Sequence, residues 1–145
     1  MIIKCVENLL EKVCNDKTSD LLLKEYHRLE GEAGYLIKGQ CYVVYGLFEP
    51  DQLNGIKWYL LNYHGNRDYT VWFPEIFFEV IDPRFSQYWM TFWEKGPHTG
   101  EKGKMYVFPE YVEMDGFSWN LSEDEEQEVE IFKDYKRKFI EEAIL

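Results

Sequence analysis

From Gln40 to Phe108, short runs of β-branched and aromatic residues alternate with clusters of turn formers, and this punctuation constrains the fold more than any other feature. Gln40 to Phe48, with Tyr42, Val43, Val44, Tyr45 and Phe48, reads as one strand. Glu49-Pro50-Asp51-Gln52-Leu53-Asn54-Gly55 turns the chain, with Asn54-Gly55 its strongest signal. Ile56 to Tyr63 is a second strand, His64 to Asp68 a turn, and Tyr69 to Phe73 a third strand. Pro74 lacks a backbone N–H, so it stops that strand or keeps it at a sheet edge. Ile76 to Ile81 reads as a short helical turn or another strand. Tyr88 to Glu94 and Lys104 to Phe108 complete the set, joined by the Gly-rich loop 95–103. Strands at this spacing predict a small antiparallel sheet or a partly open barrel.

Helical patterns flank the strands. Ile2, Ile3, Val6, Leu9, Leu10 and Val13 follow the i, i+3, i+4, i+7 spacing of an amphipathic helix over 2–14. Asn15-Asp16-Lys17 breaks it, and Thr18, Ser19 or Asp20 then caps a second helix through Leu22, Leu23, Tyr26 and Leu29, ended by Gly31 and Gly34. At the other end, Ser122 and Glu125 form a capping box, with Leu121 as its staple. Val129, Phe132, Tyr135, Phe139 and Ala143 continue as one apolar stripe, supported by an Asp134–Lys138 pair at i, i+4. The expected architecture is α+β in one domain, 1–145: a helical start (1–30), a β-rich core (35–112) and a C-terminal amphipathic helix (122–143).

Charge narrows the choice of partner. The chain carries 27 acids against 16 Lys and Arg, a net charge of −11. Such a field repels phosphate backbones and anionic membrane surfaces, which argues against nucleic acid and membrane as partners. It attracts a basic protein partner and speeds the encounter. The three cysteines, Cys5, Cys14 and Cys41, are odd in number and lack CxxC spacing, so neither a disulfide framework nor a thiolate zinc site is expected. Lys4 and Glu7 interrupt the first residues too soon for a secretory apolar region, and no apolar run approaches the ~20 residues of a membrane span. A cytoplasmic location with reduced thiols follows as the expectation.

No arrangement carrying catalysis stands out. His27, His64 and His98 are far apart in sequence, and each reads as a surface or loop residue rather than a metal ligand. Cys41 with His64 is a conceivable nucleophile–base pair, but no nucleophile elbow surrounds it and Cys41 reads as a small buried hydrophobe. Gly96 to Lys104 lacks the Walker spacing, because Met105 follows Gly103-Lys104 and His98 stands where the first Gly belongs. Glu75, Glu79 and Asp82 lie close enough for acid–base work, yet read equally as a solvated rim. Six of the nine residues from Ser122 to Glu130 are acids; such a run can mimic nucleic acid and face a basic cleft, but helix capping accounts for several of them without any partner. In Tyr88-Trp89-Met90-Thr91-Phe92-Trp93 a strand places Trp89, Thr91 and Trp93 on one face; burial of both faces is the simpler reading. No catalytic residue, metal or cofactor is therefore expected.

Lys38-Gly39-x-x-Tyr42-x-Val44-Tyr45-Gly46, then Trp58-Tyr59-Leu60-Leu61, then Trp72-x-Pro74-x-x-x-Phe78-Glu79-Val80-x-Asp82 resemble segments of small bacterial immunity proteins from polymorphic or contact-dependent growth inhibition toxin systems. The resemblance covers 35–93. It implies a Src-homology-3-like barrel and a non-catalytic role: binding and occluding a cognate toxin domain, which the net charge leads one to expect to be basic, as nucleases are. The alternatives are a protein-binding adaptor and a small enzyme using carboxylates or His64. Candidate partner contacts are Glu49, Asp51, Glu75, Glu79, Asp82, Trp93 and Glu94.

Overall fold

The computed structural model describes residues 1–13, 26–52, 55–63, 67–98 and 100–144. In chain order these contain β1 (Ile2–Cys5), α1 (Leu10–Val13), α2 (Tyr26–Ala33), β2 (Cys41–Val43), β3 (Gly46–Pro50), β4 (Trp58–Leu61), β5 (Val71–Pro74), a 3-10 turn (Glu75–Phe77), β6 (Phe78–Asp82), β7 (Met90–Lys95), β8 (Lys102–Val107), α3 (Pro109–Glu113), α4 (Phe117–Ser122) and α5 (Glu126–Ala143). Every strand pairing is antiparallel, and the fold is α+β. The strands form two open sheets, ordered β2-β1-β6 and β5-β4-β3-β8-β7, and do not close into the barrel that the resemblance implies.

The first correction concerns 2–14, which opens with a strand, Ile2–Cys5, and among the described residues is helical only at Leu10–Val13. Ile2–Cys5 is the central strand of the smaller sheet, with Ile3 opposite Tyr42 on one side and Val80 on the other. Ile3 and Cys5 are fully buried while Ile2 and Lys4 are half-buried, the two-residue period of a strand. Hydrogen bonding on both sides outweighs a helical spacing that Ile-Ile, a β-branched pair, only weakly supports. Asn15–Asp16–Lys17, the caps at 18–20, Leu22 and Leu23 lie outside the described residues.

The second correction concerns the expected single strand 40–48. It splits at Val44 and Tyr45, and its halves enter different sheets. Val44 N–H donates to the Met1 carbonyl (3.1 Å) and Tyr45 N–H to the Leu60 carbonyl (2.9 Å), so adjacent residues bond to opposite sheets. Gly46 begins β3 where space is short: a Cβ there would stand 3.1 Å from Trp72 Cη2 and 3.2 Å from Leu60 Cβ. Pro74 ends β5, an edge strand, as its missing N–H requires. Of the two readings of 76–81, both hold in part, since the 3-10 turn leads straight into β6.

The third correction is the start of the last helix. Ser122 is the final residue of α4, and its Oγ donates to the Trp119 carbonyl (2.6 Å). α5 begins at Glu126 with Glu125 as N-cap and no side-chain cap bond. Phe117 and Leu121 are buried and wind 117–122 into a separate helix, which the chain leaves through Asp124 at φ 58°. α5 itself behaves as its stripe predicts: Phe132 and Phe139 are buried, each 5.3 Å from the Tyr45 ring, and Lys138 Nζ lies 3.0 Å from Asp134.

Phe108 joins these parts. It follows β8, precedes Pro109 at the start of α3, and is fully buried. Its ring stacks on Tyr135 (4.6 Å) and meets Phe117 (5.5 Å), Tyr111 (5.8 Å) and Phe132 (6.3 Å). All three C-terminal helices are thus held to the large sheet through one aromatic cluster.

Candidate functional site

The seven residues singled out from sequence fall into separate places. Glu49, Asp51 and Trp93 come together around Lys104 in a shallow depression of about 190 Å³ at one end of the large sheet. Glu49 and Trp93 flank Lys104 across three strands, in register and on one face. Trp93 is 56% exposed, so its face of β7 is not core. Glu94 pairs with Gly103 and lies on the opposite face. Glu79 and Asp82 belong to β6, an edge strand of the other sheet, and Glu75 to the 3-10 turn before it. Glu75 accepts from Lys57 N–H (3.4 Å), and Glu79 stands opposite Lys4. Asp82 is held by Arg84, whose Nη2 donates at 2.6 Å and whose hydrogen bonds keep the carboxyl down at about 2. Four of these six acids therefore have a cation at hand or directly across a strand pair, or serve a backbone N–H.

The uncompensated charge lies elsewhere. From Met105 to Phe132 the chain has no Lys, Arg or His and nine acids: Glu110, Glu113, Asp115, Glu123, Asp124, Glu125, Glu126, Glu128 and Glu130. Two are turned inward: Glu128 is buried, and Glu110 accepts from the Tyr135 hydroxyl (3.1 Å). That bond and burial push the Tyr135 phenol up, with burial the larger cause. The other seven are exposed. Asp124 lies 3.7 Å from Arg67 and Glu130 4.0 Å from Lys133. Among the described residues no ion pair reaches Glu113, Asp115, Glu123, Glu125 or Glu126. The stretch that forms α3, α4 and the start of α5 thus carries seven exposed acids and no base, an acidic surface.

Beside this surface runs a cleft of about 410 Å³. Arg28 and Glu32 of α2 form one wall, one turn apart and 3.9 Å from each other. Tyr69, Thr70 and the edge strand β5 form a second; Ser118, Trp119 and Ser122 of α4 form a third; His98, from the β7–β8 loop, closes the end. His98 accepts a hydrogen bond from Arg28 and sits 5.1 Å from the Trp58 ring. Trp72 is fixed by its Nε1–H, which donates to Tyr111 (2.9 Å). Arg67 braces the rim: it lies 5.7 Å over the Tyr69 ring and donates to the Ser122 carbonyl (3.1 Å). Trp119, at the border between cleft and acidic face, is 69% exposed. Thr70 is 7% exposed and its hydroxyl has no hydrogen-bond partner among the described residues.

Sequence reading missed this cleft because its walls come from four segments with no shared spacing. The run 122–130 is legible as an acidic surface only as an alternative to helix capping, and the acids of α3 are not; the absence of any base over 105–132 is the available signal. Cys41 is exposed on β2 rather than buried, and its suggested partner His64 lies outside the described residues. Among the described residues no group of three His, Cys, Asp or Glu could hold a metal, and no helix is long and apolar enough to cross a membrane. No family model, curated protein or solved structure matches the chain.

Proposed function

We propose that this chain is a protein-binding inhibitor of the immunity type, which uses the acidic surface of α3, α4 and the start of α5 to dock on and occlude a basic toxin domain. One observation supports this above the rest. Some acids of this stretch stabilise their own helices: Glu110, Glu126 and Glu128 lie in first turns, where the helix dipole favours anions. Glu113 ends α3 and Glu123 is the C-cap of α4, where the same dipole disfavours them. Neither has an ion pair among the described residues. Charges that work against the local fold and stay exposed are suited to steering a cationic partner.

The test is capture of partners by the tagged full-length protein from its native cells, at low and high salt. A single basic partner, held at low salt and weakened at high salt, is the expected result. Reversing Glu113 and Glu123 to Lys together lowers the association rate by about tenfold, since rim charges act mainly on encounter. Reversing Glu75, Glu79 and Asp82 together is the comparison and leaves it within about twofold, because those acids already have local partners. Capture that survives the first reversal and fails after the second refutes the assignment of the face. Capture of no partner at either salt refutes the inhibitor reading, and the adaptor alternative with it. A small-molecule role draws support from one feature, the cleft.

A further inference from the structure

We infer that the outer edge of β7 pairs with an extended acidic segment of another protein, which adds a strand to the large sheet. This site lies on the β7–β8 hairpin and does not depend on the acidic surface of α3, α4 and the start of α5.

Two independent observations lead there. The first is the open backbone. β7 is an edge strand, and among the described residues its one neighbour is β8. In an antiparallel pair every second residue turns both its N–H and its C=O towards the neighbour. Gly96 N–H donates to the Glu101 carbonyl just past the strand, which sets the alternation. Phe92 and Glu94 therefore bond β8, while Thr91, Trp93 and Lys95 turn their backbone groups away from the sheet. Asp51 N–H donates to the Lys102 carbonyl on the other side of β8 and requires the same alternation. All three outward residues are exposed, and among the described residues no hydrogen bond reaches their backbone. The strand has no proline, and its register with β8 runs unbroken from Met90 to Lys95, so neither proline nor bulge blunts this edge.

The second observation is charge. Lys95 and Lys102 stand directly opposite each other, and Lys104 lies two residues on, all on the face that carries Trp93. The three lysines are exposed and form no ion pair among the described residues. Like charges directly opposite in a sheet destabilise it, and an acid placed beside Lys95 relieves the repulsion. Glu49 and Asp51 lie on the β3 side of β8, away from the open edge, and Glu94 belongs to the opposite face. On that opposite face Met90, 49% exposed, and the half-buried Phe92 carry apolar surface out to the edge. A strand added here alternates accordingly: acids on the lysine face, apolar side chains beside Met90 and Phe92. A basic strand would meet Lys95 and Lys102 instead.

The experiment is an NMR titration of the isotopically labelled full chain with a short synthetic peptide of alternating glutamate and valine. The same peptide with lysine for glutamate, and oligothymidylate as an anion without a peptide backbone, are the comparisons. The expected result is saturable binding of the glutamate peptide, about tenfold or more tighter than the lysine peptide. Hydrogen exchange slows at the amides of Thr91, Trp93 and Lys95 and is unchanged at those of Phe92 and Glu94, which β8 already holds. Thr91→Pro removes an outward donor and no bond to β8, so Tm stays close to wild type while binding weakens by about tenfold. Lys95→Glu with Lys102→Glu inverts the preference between the two peptides, a gain that misfolding cannot produce. No saturable binding of the glutamate peptide overturns the inference, as does equal binding of both peptides or binding that leaves the three outward amides unprotected. Binding of oligothymidylate in place of the peptide overturns it too. So does a dimer of the free chain that Thr91→Pro dissolves, since a second copy then holds the edge.

Discussion

Replacing Phe108 with Ala tests whether one aromatic cluster holds the acidic helices to the sheet. The ring is fully buried and has four aromatic neighbours between 4.6 and 6.3 Å, drawn from α3, α4 and α5. Truncating a buried Phe costs about 3–5 kcal/mol, from lost transfer energy and from the cavity left behind. A domain of this size has about 5–15 kcal/mol in total, so about a fifth or more of its stability is at stake. Urea unfolding followed by tryptophan fluorescence reads the loss. With a slope near ~2 kcal/mol per molar, the midpoint falls by about 2 M and the slope is unchanged. Phe85→Ala is the control: that ring is half exposed, touches Tyr106 (4.9 Å) and Trp89 (5.5 Å), and its loss costs below about 1.5 kcal/mol. Amide exchange adds the location, because protection falls first in 109–143 and later in the sheets. A loss under about 1 kcal/mol for Phe108→Ala, or an equal loss for Phe85→Ala, refutes the argument.

Two further outcomes follow from burial. Tyr59 is raised to about 12, by burial first and then by the negative charges of Glu75 and Glu49, and burial raises Tyr45 as well. Phenols raised in the folded state contribute stability that is complete below the ordinary value of 10.0 and is lost as pH climbs towards about 12; absorbance titration should show them ionising together with base-induced unfolding, and smooth ionisation of all eleven tyrosines near 10 would refute this. Gly103→Ala places a Cβ 2.2 Å from the Glu49 carbonyl oxygen and 2.8 Å from Pro50 Cα, backbone that cannot swing aside, and destabilises by about 3 kcal/mol. In Gly31→Ala the new Cβ meets nothing within 4 Å inside α2, and Tm holds or rises; equal melting of the two variants would count against the reasoning.

How much was legible in the sequence depended on whether the deciding forces were local. The α5 stripe, the Asp134–Lys138 pair and the halt at Pro74 depend on near neighbours and came through. β1 did not, because its choice between helix and strand is made by β2 and β6, which pair with it from far along the chain. The break at Val44–Tyr45 carries no turn residue; its one local sign is Gly46, whose need for a small residue comes from Trp72, Leu60 and Val107. The capping box at Ser122 is a sound local motif, overruled because burial of Phe117 and Leu121 holds 117–122 in α4. For the cleft nothing local exists: Arg28, Thr70, His98 and Trp119 meet only after folding.

The two unfavourably placed acids separate a structural from a functional explanation of the face. If the face were only a solvated surface, moving its charge towards neutrality would leave function untouched. If it serves a basic partner, stability and binding must respond in opposite directions to one change. Lys at positions 113 and 123 suits the helix C-termini there and relieves repulsion from Asp115, Asp124 and Glu125. Each replacement stabilises by about 0.3–1 kcal/mol, so the double variant melts higher by about 2–6 °C. The same variant associates with its basic partner about tenfold more slowly. A rise in Tm with unchanged association would show that these acids are surface charge and nothing more. A fall in both would mean that they hold the helices in place, through contacts the fold does not display.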